Sequence, residues 1–296
     1  MGIDIANYHG WQGELRHPVR GVFSIARVAL LQVLRRKSYW LLLILGLAQF
    51  IMFWSVIYAV TQLDLAPDFK KTILREFGFS AQADEGKDNG YMMFMERQSV
   101  VVMILLAFSG SLLVGADFRQ RTLPFYLSRR IGKRHYIVGK LLAVSSLILI
   151  LTVFPALALF VEYGSFTSGW TYWIDNWRIP LGVLGYGVVL CLANSVWLVC
   201  LSAYLQRAAP IAITWSSLLI MPGRLGEFLW KASDNEYWRL LDPWRDMRLT
   251  GQLFFGKFRK DFDRDLAWWA MALIVAVTLI ALLALVRRVR AVDVVE

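Results

Sequence analysis

Few residues in this 296-residue chain are placed to do chemistry. The stretch Gly251-Gln-Leu-Phe-Phe-Gly256-Lys257 has the glycine and lysine spacing of a phosphate-cradling loop. Phe258 then stands where a P-loop needs Ser or Thr for Mg²⁺, and no buried strand leads into it. The three histidines, His9, His17 and His135, have no companions at metal-ligand spacing. Cys191 and Cys200 lie inside one apolar stretch and read as small buried residues. Asp261, Asp263 and Asp265 form a charge run whose default reading is a solvated loop. No Ser/His/Asp or Cys/His set is convincing, so no catalytic, cofactor-binding or metal site is expected, and the chain is not expected to be an enzyme.

What positions the remaining residues is a series of apolar blocks. The chain is 57% hydrophobic and 18% charged, where soluble domains carry about 25% charge. Blocks at Trp40–Gln62, Val100–Ala116, Leu141–Val161, Leu181–Tyr204, Ala209–Met221 and Leu266–Val286 approach the ~20 residues that cross a bilayer as helix. The fifth is short and bracketed by Pro210 and Pro222. Continuous rather than alternating apolar runs exclude a transmembrane barrel. The fold class is therefore all-α: a polytopic membrane protein with six transmembrane helices, preceded by an amphipathic interfacial helix.

The formal net charge of +10 sits at the block ends, which is the pattern of membrane anchors and not of a nucleic-acid groove. Arg16, Arg20, Arg27, Arg35, Arg36 and Lys37 precede the first block. Arg119 to Lys140 separates the second and third, Arg207 the fourth and fifth, and Arg287, Arg288 and Arg290 follow the sixth. With six spans these all fall on one side, the cytoplasm, along with both termini. Met1–Arg20 has no apolar h-region, so no cleaved signal peptide is expected and the first span directs insertion. Residues 1–39 form the cytoplasmic N-terminus, 40–286 the six-helix membrane domain and 287–296 a cytoplasmic tail. The outer segment 223–265 reads as short amphipathic or re-entrant helices. Trp170, Tyr172, Trp173 and Trp177, with Trp230, Tyr237, Trp238, Trp244, Trp268 and Trp269, read as an aromatic belt at the outer interface.

Before the first span, Arg20, Ser24, Arg27 and Arg35 share one helical face, and Val19, Val22, Phe23, Ala26, Leu30, Val33 and Leu34 the other. With Arg36, these arginines suit a helix lying in the cytoplasmic interface. A plain anchor and an elbow that sets the angle of the first span need the same residues. No predicted span carries a central ionisable group; Asp117 and Glu162 sit at span ends. That argues against a proton- or sodium-coupled transporter. Ser109, Gly110 and Ser111 suit either close helix approach or a lipid-facing surface.

The most informative stretch is 117–140, DFRQRTLPFYLSRRIGKRHYIVGK. Thr122 suits a helix cap with Pro124 in the first turn, and Leu123, Tyr126 and Leu127 share a face. The residues alone fit a partner-binding helix or a basic interfacial loop equally well. The stretch resembles the cytoplasmic loop of ABC-2 type transporter permeases, most closely the small permeases paired with a separate ATPase, including those serving copper-site maturation. The matching residues are Asp117, Arg119, Thr122-Leu123, Leu127-Ser128, Ile131, Lys133 and Gly139-Lys140, with Leu241-Asp242-Pro243, Met247 and Leu249 before the last span. Arg121, Arg130 and Gly132 depart from the pattern, which often has Gly, Pro and Ser there.

The resemblance implies a permease subunit in a bacterial inner membrane, an exporter working as a homodimer. A cytoplasmic ABC ATPase would hold ATP and Mg, and Thr122, Leu123, Phe125, Tyr126, Leu127, Arg129 and Arg130 would form the coupling interface. No metal-binding cluster carries the copper substrate over. A scaffold that transmits ATPase force without transport, and a stand-alone transporter, are the alternatives.

Overall fold

The structure is a computed structural model that describes residues 18–79, 90–110, 115, 117, 132–167, 169–256, 258 and 261–293. Among these residues there are helices and connecting turns and no strand. In chain order the helices are α1 (Pro18–Leu34), α2 (Lys37–Gln62), α3 (Pro67–Glu76), α4 (Gly90–Gly110), α5 (Lys133–Leu151), α6 (Val153–Phe166), α7 (Trp170–Asp175), α8 (Arg178–Leu205) and α9 (Ala208–Ser233). A 3-10 turn η1 (Glu236–Leu241), α10 (Pro243–Phe255) and α11 (Asp261–Asp293) complete the chain.

Among the described residues, five stretches are long and apolar enough to cross a membrane: Tyr39–Gln62, Gly90–Gly110, Lys133–Phe166, Arg178–Leu205 and Asp263–Val289. The second begins ten residues before the apolar block read from sequence. Glu96, Arg97 and Gln98 interrupt the apolar run, and each finds a partner in the bundle. Glu96 pairs with Arg248 at 3.0 Å, the Arg97 guanidinium lies over the rings of Phe53 and Phe77, and Gln98 donates to the Gly46 carbonyl at 3.2 Å. The third stretch is two helices. Pro155 offers no N–H to the Leu151 carbonyl and its ring crowds the preceding turn, so the helix breaks at Thr152, whose hydroxyl donates back to Ile148 O at 2.7 Å.

The block expected to stop at Met221 continues through Pro222 to Ser233. Only two residues, Gln206 in the left-handed conformation and Arg207, join α8 to α9. α9 is 26 residues long, about 39 Å of helix. Its C-terminal third carries exposed Arg224, Glu227 and Lys231, linked by ion pairs within the helix. Those charges separate it in composition from the five apolar stretches.

Helix α1 lies along α5. Val22, Ile25, Ala26, Ala29 and Val33 are buried there, while Arg20, Arg27, Val19 and Phe23 remain exposed. Contact is close because Gly139 has no side chain: a Cβ there would meet Ile25 Cβ at 2.9 Å and the Val22 carbonyl at 3.1 Å. The carbonyl is backbone and cannot turn aside. Gly139→Ala is expected to lift α1 and destabilise the protein by about 1–3 kcal/mol. A fall in melting temperature, with faster hydrogen exchange confined to α1, checks this.

The segment between α9 and α11 turns back into the bundle. After Ser233 the chain descends beside α9. The Cβ positions of Gly226 and Gly223 would meet the Trp238 carbonyl at 2.5 Å and the Asp242 carboxyl carbon at 2.8 Å. Asp242 then caps α10, its Oδ1 accepting from the backbone N–H groups of Trp244 and Arg245 at 3.0 and 3.2 Å, with Pro243 in the first turn. α10 runs back antiparallel to α8: Met247 meets Asn194 at 3.5 Å, and Phe255 packs at Gly182. Those two contacts on α8 are twelve residues apart, about 18 Å of helix rise. The start of α10 therefore sits deep inside the bundle, and Arg248–Glu96 and Arg245–Asp263 (3.7 Å) tie it to α4 and α11.

Candidate coupling junction and buried polar cluster

The residues predicted to meet an ATPase, Thr122, Leu123, Phe125, Tyr126, Leu127, Arg129 and Arg130, lie outside the described residues. The two ends of that loop are described, and they meet. Asp117 Oδ2 accepts a hydrogen bond from the Tyr136 hydroxyl at 2.9 Å and pairs with Lys140 Nζ at 2.7 Å. Lys140 and Tyr136 are buried, and the ammonium also lies 5.7 Å from the Tyr136 ring centroid. Gly139 and Lys140 are neighbours with separate tasks: the first admits α1, the second pairs with Asp117. One residue pair thus connects the N-terminal helix, α5 and both ends of the predicted coupling loop. Arg20, Arg27, Arg35 and Arg36 are exposed, on α1 and in the turn to α2.

Ser109 and Gly110 are buried against the protein's own helices. A Cβ on Gly110 would meet Leu198 at 2.8 Å and both Ile211 and Ser202 at 3.0 Å. Their small size serves packing of α4 on α8 and α9 and not a lipid face. Ser111 lies outside the described residues.

The aromatic belt divides. Trp170, Trp177, Tyr237, Trp238, Trp268 and Trp269 are exposed, whereas Tyr172 and Trp173 turn inward. Tyr172 joins rings from α4 and α6, its hydroxyl 3.1 Å from that of Tyr91. Trp230 carries Arg239 over its ring at 4.5 Å.

The P-loop-like glycines have other uses. Gly251 is inside α10, where a Cβ would meet the Tyr186 ring at 2.9 Å, and Gly256 ends α10 with a positive φ. A helix interior turns its N–H groups inward along the axis and leaves none to cradle phosphate. Lys257 lies outside the described residues. Among the described residues no three metal-ligating side chains come together.

Sequence reasoning missed the first turn of α10. The predicted spans carry no central ionisable group, but α10, which folds back into the bundle, brings two inside it. Arg245 and Asp246 are both buried, and neither Asp246 oxygen has a hydrogen-bond partner. Burial, then the nearby Asp242, pushes the Asp246 acid up to about 8. Burial also raises Asp242, against the backbone N–H of Trp244, which favours its charged form. Asp263, read as part of a solvated run, instead pairs with Arg245, while Asp265 is exposed. Glu162, at the far end of α6, is buried with neither oxygen partnered. The Leu241-Asp242-Pro243 start signal was present in the sequence, and it marks a helix without revealing its depth. No protein-family model matches the chain, and no curated protein matches it.

Proposed function

We propose that this chain is the membrane subunit of an ABC-2 type transporter, moving an unidentified substrate with energy from a separate ATPase that carries the ATP and Mg. The observation that supports the reading most is the junction Asp117–Tyr136–Lys140. The loop carrying the ABC-2-like pattern begins and ends on one largely buried ion pair, so a push on the loop would be delivered to α5 and to the chain following α4 together. In this reading α9 is the sixth span, and α1 is an elbow helix on the cytoplasmic face of the inner membrane, with both termini in the cytoplasm. The charged outer third of α9 then faces a water-filled space between two copies of the chain, which removes the cost of setting Arg224, Glu227 and Lys231 in lipid. ATP-driven closure of two ATPases would rock the two copies and open that space outward.

A stand-alone, proton-coupled transporter is the second reading. It is favoured by the buried, unpartnered carboxyls Asp246 and Glu162. Affinity purification from native membranes separates the two. With this chain as bait, a P-loop ATPase is expected to co-purify and to fall at least tenfold with Leu123→Glu or Tyr126→Glu. A folded wild-type chain that brings down no ATPase, or that transports without ATP, overturns the ABC reading. ATPase capture without any substrate movement would leave a force-transmitting scaffold.

A further inference from the structure

Beside the start of α10, a groove of about 550 Å³ runs between α8, α9 and α11. Its wall is aliphatic and aromatic, with Trp197, Leu201, Leu218, Ile274 and Ala281 among the lining side chains. The Trp197 indole N–H is already used, donating to Thr278 at 3.1 Å, and the Tyr204 hydroxyl donates to the Ala284 carbonyl at 3.2 Å. Among the lining residues there is one carboxyl, Asp246, and no Lys, Arg or His. Asp246 is 1% exposed, and neither oxygen has a partner. An apolar cleft of this size with one convergent polar group has the form of a small-molecule site.

We propose that this groove binds an amphiphile with an alkyl tail and a protonated amine head, the tail along α8 and α11 and the ammonium on the Asp246 carboxylate. The occupant follows from charge. A buried carboxyl without a counter-ion is stabilised by a cation that brings its own donors. A phosphate, sulfate or carboxylate placed on Asp246 would meet it with Asp242 nearby and no Lys, Arg or His among the lining residues, so an anionic head is disfavoured there. A neutral alcohol would gain the tail contacts alone. Burial and Asp242 hold the Asp246 acid well above the usual carboxylate range, and an ammonium reverses that shift by supplying the missing charge. Binding of this kind requires no ATPase, so it stands or falls apart from the ABC reading.

Photo-crosslinking on the full-length protein in lipid nanodiscs tests it. Three probes share one diazirine-bearing alkyl chain and end in an amine, an alcohol or a carboxylate. The amine probe is expected to label peptides 197–205 and 273–281 saturably and at least tenfold more than the other two, with dodecylamine competing. Asp246→Asn, which keeps the shape of the side chain, should reduce amine labelling to the level of the alcohol and leave alcohol labelling unchanged. Ala281→Trp, which fills the groove, should abolish amine labelling in protein that remains monodisperse. Equal labelling by all three probes, or amine labelling indifferent to Asp246→Asn, overturns the proposal and leaves a crevice for lipid chains. Absent amine labelling, with cross-links between two copies mapping to the groove, also overturns it and makes the groove a subunit interface.

Discussion

Lys140→Met is expected to destabilise the protein by about 3–5 kcal/mol, the range for removing one partner of a buried ion pair. Lys140 is 4% exposed and Asp117 15%, with the charged atoms 2.7 Å apart. Methionine fills most of the lysine volume, so the loss reports charge more than packing. Asp117 would keep the Tyr136 hydroxyl as a donor but lose the lysine charge beside it, which is costly for a carboxylate largely shielded from water. Asp117→Asn combined with Lys140→Met removes both charges and should recover most of the stability, since pairs replaced together cost far less than pairs broken. Thermal unfolding in detergent gives the comparison. Equal losses in the single and double variants would mean that the pair contributes through packing alone. The same single variant should also weaken ATPase capture, because the two ends of the loop would be held together less firmly without the ion pair.

The second large effect concerns Asp246 and is read as a pH dependence. Its acid is raised to about 8 in the folded protein, against about 3.9 in an unfolded chain. Between those values the folded state binds the extra proton, so stability falls as pH rises across that window and levels off above about 8. Below about 4 both states are protonated and the group contributes no slope. The shift corresponds to about 6 kcal/mol as a ceiling, shared in practice with the charged neighbours on the packed elements: Asp242, Arg245, Arg248, Glu96 and Asp263. Asp246→Asn cannot titrate. Its melting temperature should exceed that of the wild type at pH 8, converge with it near pH 4, and show a flatter profile between. Parallel profiles for the two proteins would show that Asp246 stays ionised throughout, with a counter-ion of its own.

The apolar blocks alone determined that this is a helical membrane protein. Runs of twenty apolar residues have one way to satisfy their backbone in lipid, and that constraint is local. The positions of the first, third, fourth and last long helices were legible for the same reason. Local chemistry also marked the start of α10, since a capping Asp followed by Pro works through bonds within one turn. The fifth block was less legible: among the described residues five stretches are long and apolar enough to span, and α9 is not one of them, because it mixes apolar residues up to Met221 with charges beyond it.

Tertiary structure decided the rest. Nothing in the sequence says that Asp117 and Lys140, twenty-three residues apart, close on one another, or that Gly139 is small to admit α1. Ser109 and Gly110 looked equally suited to lipid, and only the arrangement of α8 and α9 turned them inward. The largest surprise was Asp246, because burial belongs to neighbours and not to a residue. In sequence it is a carboxylate in a charged outer segment; folding back beside α8 and α11 takes it away from water, raises its pKa and sets it at one end of an apolar groove. Periodicity and composition report on a residue's own helix, whereas charge, depth and partnership are settled by what that helix is packed against.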